Sequence, residues 1–144
     1  MDAVDSFSAM RNKLAGFQYA SAPKKQPALM ISGVEVSVYC DLLILREFKG
    51  VDQIGALLFR LTQPEDDESE KAADKRREMG LFAATLVHMQ VTQNLAGNRE
   101  PTFSLCWSVD VQNGDVHIAP RTYLTRVKSI ENACRFIAAM WNSA

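Results

Sequence analysis

Apolar positions recur at two different spacings along this chain, and the changes between them mark its elements. Val4, Phe7, Leu14 and Phe17 share one helical face, with Met10 beside it and Asp2 and Asp5 in the first turn, which predicts a helix over 2–18. Ser21-Ala-Pro-Lys-Lys-Gln-Pro27 is a polar, proline-bounded link. The period then drops to two. Leu29–Ile31 is a short strand, Ser32-Gly33 a two-residue turn, and Val34, Val36, Val38 and Cys40 alternate with Glu35, Ser37, Tyr39 and Asp41. Leu42-Leu-Ile-Leu45 continues without alternation, as a strand covered on both faces would. Lys49-Gly50 turns the chain, and Ile54 to Leu61 returns with Leu57, Phe59 and Leu61 on one face. The expectation is a three-stranded β-meander over 28–62.

A helical period resumes over 66–96. Thr62-Gln-Pro-Glu65 has capping-box spacing, and acidic residues precede basic ones as the helix dipole favours, although the acidic stretch reads equally well as a loop ahead of the helix. Met79, Phe82, Ala83, Leu86 and Met89 or Gln90 are the expected buried stripe, and Gly97-Asn98 the stop. A hairpin is predicted over 102–120. Asn113-Gly114 signals a type I′ turn, which sets Gln112 opposite Asp115, Val111 opposite Val116, Val109 opposite Ile118 and Trp107 opposite Pro120. Ser129 caps a last helix over 129–142, with Ile130, Ala133, Cys134, Ile137, Ala138 and Trp141 as its stripe. The order α-β-β-β-α-β-β-α predicts an α+β fold in one domain, an antiparallel sheet packed against helices.

Bulk properties narrow the function classes. The chain has 144 residues, 47% of them hydrophobic, 23% charged, and a net charge of −1. It carries no basic field to hold a phosphate backbone, which argues against nucleic acid as a partner. No apolar run reaches bilayer length, and the start Met1-Asp-Ala-Val-Asp5 lacks the basic and apolar regions of a signal peptide. Cys40, Cys106 and Cys134 are odd in number and widely spaced, which points to a reducing, cytoplasmic setting.

Candidate chemistry is sparse. The expected register puts Asp110 opposite His117, a carboxylate-oriented imidazole or a plain cross-strand pair; no nucleophile is placed to use it. Cys106 lies four residues from Asp110, about 13 Å along a strand, and reads as a small hydrophobe. His88 has no partner at metal-ligand spacing. Asp41 with Glu47-Phe-Lys49 matches the residue types of restriction-type nucleases. In one strand, however, the two acids stand about 20 Å apart, too far to share a Mg²⁺. A degenerate nuclease-like protein, or a mobile-element inhibitor or immunity protein acting on a DNA-processing partner, stays as the alternative. No catalytic, cofactor-binding or metal-binding residue is assigned.

Four short stretches carry a family resemblance: Gln93-Asn-Leu-Ala-Gly97, Ser104-Leu-Cys-Trp-Ser-Val-Asp110, Asn113-Gly-Asp-Val-His-Ile118 and Phe136-Ile-Ala-Ala-Met-Trp141. With the element order, they resemble the class I type III secretion chaperones of bacteria. The resemblance implies a cytoplasmic homodimer without enzymatic activity or cofactor. Such a protein holds the extended N-terminal segment of a secreted effector, adding it to a sheet edge while apolar pockets take its side chains. The candidate partner or dimer-binding residues are then Leu43, Leu45, Phe48, Phe103, Leu105, Trp107 and Val109, most of which are expected to be ordinary core.

Overall fold

The computed structural model describes residues 17–60, 70–120 and 124–142. In chain order it contains β1 (Gln18–Ser21), β2 (Leu29–Ile31), β3 (Val34–Val36), β4 (Leu42–Phe48), β5 (Val51–Arg60), α1 (Glu70–Gln90) running into a π-helical turn (Val91–Leu95), β6 (Glu100–Asp110), β7 (Asp115–Ile118) and α2 (Leu124–Asn142). The main sheet has the order β1-β4-β5-β6-β7, and β2-β3 form a second, two-stranded sheet. The class is α+β, as the element pattern predicts. The helix expected over 2–18 falls mostly outside the described residues. Its last residue does not continue a helix, because Gln18 opens a strand paired with Leu45 of β4.

Two features of the expected sheet are corrected. The meander over 28–62 is split, since β2 and β3 leave the main sheet. The break has a local cause at Cys40. The Gln26 side chain accepts from the Cys40 N–H at 3.0 Å and donates to its carbonyl at 2.8 Å. Those peptide groups are thereby taken from any continued β-ladder. The main sheet is also mixed rather than antiparallel, because β5 and β6 run parallel. A parallel pair needs a long crossover, and α1 with its π turn supplies it, making β5-α1-β6 a βαβ unit.

Both faces of the sheet are buried, so the unalternating Leu42–Leu45 run is explained. One face packs Ile54, Ala56 and Cys106 against Ala84, Val87 and Val91 of the α1 segment and against Leu29, Ile31 and Val38. The other gathers Ile44, Leu57, Leu105, Trp107, Val109 and Val111, with Phe17, Leu42, Phe59 and Val116 against them. The α1 stripe is rotated from the expected one. Gly80, Ala84, Thr85, Val87 and Gln90 are buried, whereas Met79 is 53% exposed. Small residues let the helix lie close to the sheet, and a pattern weighted towards bulky side chains misses that. At the helix's end, Gln90 donates to the Pro27 carbonyl at 2.8 Å. Gln93 grips Met30, accepting from its N–H at 3.2 Å and donating to its carbonyl at 3.0 Å. The π turn thus fastens β2 to the helix.

The β5–β6 pairing contains a large irregularity. Ile54 pairs with Pro101 and Ala56 with Cys106, so three extra residues of β6 are accommodated opposite Gly55. A Cβ built on Gly55 would overlap the Leu105 carbonyl and Cβ. Glycine is what lets the bulged strand approach. An odd number of extra residues also reverses which side chains face which way. Phe103 therefore packs with the α1-side cluster, while Leu105, Trp107 and Val109 fall on the opposite face.

The hairpin is shifted by two residues from its expected register: Trp107 pairs with Ile118, Ser108 with His117, Val109 with Val116 and Asp110 with Asp115. Instead of a two-residue turn there is a four-residue loop over 111–114. The Val111 N–H is drawn to the Arg60 carbonyl at 3.0 Å, and the Asp110 carboxylate accepts from Asn113 Nδ2 at 2.8 Å. An even shift keeps every side chain on its face, so Trp107, Val109 and Val111 still share one apolar side. The last helix starts at Leu124 rather than 129. Ser129 is not its cap but donates to the Thr125 carbonyl at 3.1 Å, one turn back.

Candidate functional site

The seven residues proposed as a binding surface do not form one. Leu105, Trp107 and Val109 are 0%, 3% and 0% exposed and are core. Leu43, Leu45 and Phe103 are half-buried against the α1-side cluster, with the Phe103 ring edge-on to His88 at 6.4 Å. Only Phe48 stands out, at 48% exposed, and it marks the part of β4 that no described strand pairs on the β1 side.

That place is the tip of the β4–β5 hairpin. Lys49 and Gly50 both have positive φ, 51° and 79°, as a two-residue type I′ turn requires. The tip outruns its neighbours: β1 pairs only with Leu42–Leu45, and β6 begins opposite Gln53. Arg46, Glu47 and Phe48 therefore have no strand beside them on the β1 side among the described residues. Arg46 Nε and Nη2 both donate to Gln53 Oε1, at 3.0 and 2.7 Å. Its guanidinium lies 5.3 Å from the centre of the Phe48 ring, and Lys49 Nζ is 5.3 Å from the same ring. Val51, directly across from Phe48, is 42% exposed. An open cleft of about 420 Å³ adjoins this strand edge, lined by Gln18, Leu45, Arg46, Glu47, Asp52 and Arg99. The cross-strand carboxylates of Glu47 and Asp52 lie with Arg99 around it.

This arrangement suits recognition of an extended chain. The backbone of Arg46–Phe48, unpaired on the β1 side by any strand among the described residues, can continue a ladder, Phe48 and Val51 offer an apolar platform, and the cleft offers charges of both signs. Phe48 was legible in the sequence, whereas Arg46, Val51 and Arg99 were not. Their signal lay in the hairpin turn, which puts any residue beside it at a protruding tip.

A second constellation lies between the sheet and the N-terminal half of α1. Here Ser108, not Asp110, stands opposite His117, with Asp110 and Asp115 adjacent in the ladder. The residue types are those of a serine nucleophile with its base and acid, yet the geometry leaves no room for a substrate. Ser108 is fully buried with Arg60 Nη1 3.5 Å from its Oγ, and a Cβ on Gly80 of α1 would overlap the His117 ring. The His117 Nε2 is buried without a hydrogen-bond partner. Asp41, for its part, accepts the Phe59 N–H at 2.7 Å and so pins β5. Glu47 is at the other end of β4, about 20 Å away by strand geometry. The two acids are not brought together. Among the described residues, no group of three or more His, Cys, Asp or Glu side chains is placed to hold a metal ion. Cys40 and Cys106 are buried, and burial pushes both thiols up to about 12, the chemistry of packing groups rather than nucleophiles.

Both histidines carry a pH dependence. Desolvation lowers the pKa of His117, with Arg60 and Arg76 opposing its charge and Asp115 and Asp110 favouring it; desolvation also lowers that of His88. A base whose folded-state pKa lies below its unfolded value of 6.5 binds protons more readily when unfolded. The stability it contributes is complete above that value and is lost as pH falls through it. The melting temperature should therefore drop between pH 7 and 5, and drop less in a His88→Gln/His117→Gln variant. A flat profile in the parent chain would contradict this account.

Compared with known proteins, the chain matches no family model, no curated protein and no solved structure. No helix among the described residues is long and apolar enough to cross a membrane.

Proposed function

We propose that this is a non-enzymatic binding protein that holds an extended segment of another protein as an added strand, in the manner of a cytoplasmic secretion chaperone holding the N-terminal segment of an effector. The observation that carries the reading is the stretch Arg46–Phe48 of β4, which no strand among the described residues pairs on the β1 side and which lies beside the 420 Å³ cleft. A strand arriving there would continue β1 along β4. Its alternate side chains would meet Phe48 and the Arg46 and Lys49 cations on one side and the Glu47, Asp52 and Arg99 group on the other. Main-chain hydrogen bonds would supply affinity and these side chains selectivity. A homodimer is part of the same reading, as two copies would present two such edges.

The test uses a library of synthetic peptides that tile the N-terminal segments of bacterial secreted effectors. The expected result is that one peptide slows amide exchange at Arg46–Phe48, and that Phe48→Asp weakens it at least tenfold with no change in melting temperature. Binding that leaves those amides unprotected, or that ignores Phe48→Asp, overturns the reading.

A further inference from the structure

The β4–β5 tip carries a row of charges that is uncompensated at one end. Alternation from Leu45, which packs with the α1-side cluster, puts Glu47 on that same face of β4. Glu47 stands directly opposite Asp52 of β5, and Arg99 immediately precedes Glu100, the β6 residue paired with Gln53. Across the sheet the three form one row, and all three line the 420 Å³ cleft. Like charges directly opposite one another on neighbouring strands are destabilising. Among the described residues nothing relieves this pair. Neither carboxylate, nor the half-buried Arg99 guanidinium, makes an ion pair or a side-chain hydrogen bond there. Arg46 and Lys49 do not serve it. Both lie 5.3 Å from the Phe48 ring centre, and Arg46 donates twice to Gln53 Oε1, on the other face. Asp52 therefore has a cation beside it in the row, whereas Glu47 has only Asp52. The far side of Glu47 is the stretch of β4 that no described strand pairs.

We infer that the segment held along β4 places a basic residue, arginine before lysine, directly opposite Glu47, and an apolar residue immediately before it opposite Phe48. This rests on the strand-addition reading and names the class of segment the site takes, an extended peptide with an apolar–basic pair at its centre. The register follows from the sheet. A strand continuing the line of β1 runs antiparallel to β4, so it meets Phe48, Glu47 and Arg46 in that order. The side chain opposite Glu47 then points into the cleft. The one before it points to the other face, onto Phe48 and Val51, which are 48% and 42% exposed. A cation opposite Glu47 completes the row, so that every charge in it has an opposite charge beside it. Neighbouring strands are about 4.8 Å apart, so a long basic side chain leaning inward reaches both carboxylates. The planar fork of arginine suits two acceptors better than the point charge of lysine. An acidic residue in the same place would set three anions in a row, and the site rejects it.

Selection of a displayed library of random peptides on the full chain at low ionic strength, followed by synthesis of the enriched sequences, tests it. The selected pool should be enriched in an apolar residue followed by arginine or lysine. Replacing that basic residue by glutamate in an enriched peptide should weaken binding about tenfold. Glu47→Lys should reverse the preference between the two peptides, and added salt should narrow the gap. In the free chain Glu47→Gln should raise the melting temperature or leave it unchanged, because it removes a like-charge pair. A fall would reveal a partner for that carboxylate within the chain and overturn the inference. Peptides that slow exchange of the Arg46–Phe48 amides but share no basic residue, or that bind Glu47→Lys as tightly as the parent, overturn it and leave strand addition standing. If no selected peptide protects those amides, both fall.

Discussion

Gly55→Ala should destabilise the protein by about 3 kcal/mol or more, at the upper end of what overpacking produces. The reason is specific to the bulge. The new methyl would occupy the place of the Leu105 carbonyl, which is backbone and cannot swing aside as a side chain would. Relief requires β5 and β6 to part at the centre of the sheet, where Ala56 and Cys106 are both fully buried. Urea denaturation followed by circular dichroism measures it. Gly33→Ala is the control: nothing lies within 4 Å of a Cβ there, and its φ of 82° leaves only backbone strain, about 1 kcal/mol. Equal losses in the two variants would remove the close approach as the explanation for Gly55.

Trp107→Ala should lower stability by about 3–5 kcal/mol without altering affinity for a bound segment per folded molecule. The indole is 3% exposed, meets Phe17 edge-to-face at 5.1 Å, and donates from Nε1 to the Ser104 carbonyl at 2.9 Å. Truncation leaves a cavity and strands that carbonyl. Trp107→Phe keeps an aromatic edge for Phe17 and should lose less, about 1–3 kcal/mol, for the unmade hydrogen bond and the smaller ring. If Trp107 belonged to a binding surface, the alanine variant would melt normally and fail to bind. That result would return the apolar face of β6 to the candidate site.

These two residues show where the sequence was readable. Trp107 could be placed on the correct face even though its hairpin partner was misassigned, because a shift of two residues preserves side-chain parity. The same parity argument failed for Phe103, since the bulge beside Gly55 inserts an odd number of residues. The clue was present as a glycine inside an otherwise apolar strand. Local signals fared best: Lys49-Gly50 and Ser32-Gly33 form the expected turns, each with positive φ at both positions. The long helix is helical from Glu70, where its described part begins, and its π turn ends at Leu95, one residue from the expected end. What could not be read is non-local. Nothing near Cys40 announces that the Gln26 amide will take its peptide groups, and nothing within β5 or β6 states that they pair in parallel. The candidate site shares that limit. Phe48 was identified as apolar and near a turn, but its exposure depends on how far the described pairing of β1 with β4 extends, which ends at Leu45.

The crossover that makes β5 and β6 neighbours also sets an order of events as the chain folds. The β4–β5 and β6–β7 hairpins are closed by short turns, so each can form within microseconds. Joining them requires closing roughly forty residues, a slower step that gains little until α1 has settled on the sheet. In that interval the inner edge of β5 is bare, and it is among the most apolar strands of the molecule. Newly made chains are therefore most vulnerable to wrong pairing with one another before α1 docks. Conditions that slow this docking, acid protonation of His117 beneath Gly80 among them, should raise the yield of aggregates more than they slow the appearance of helix.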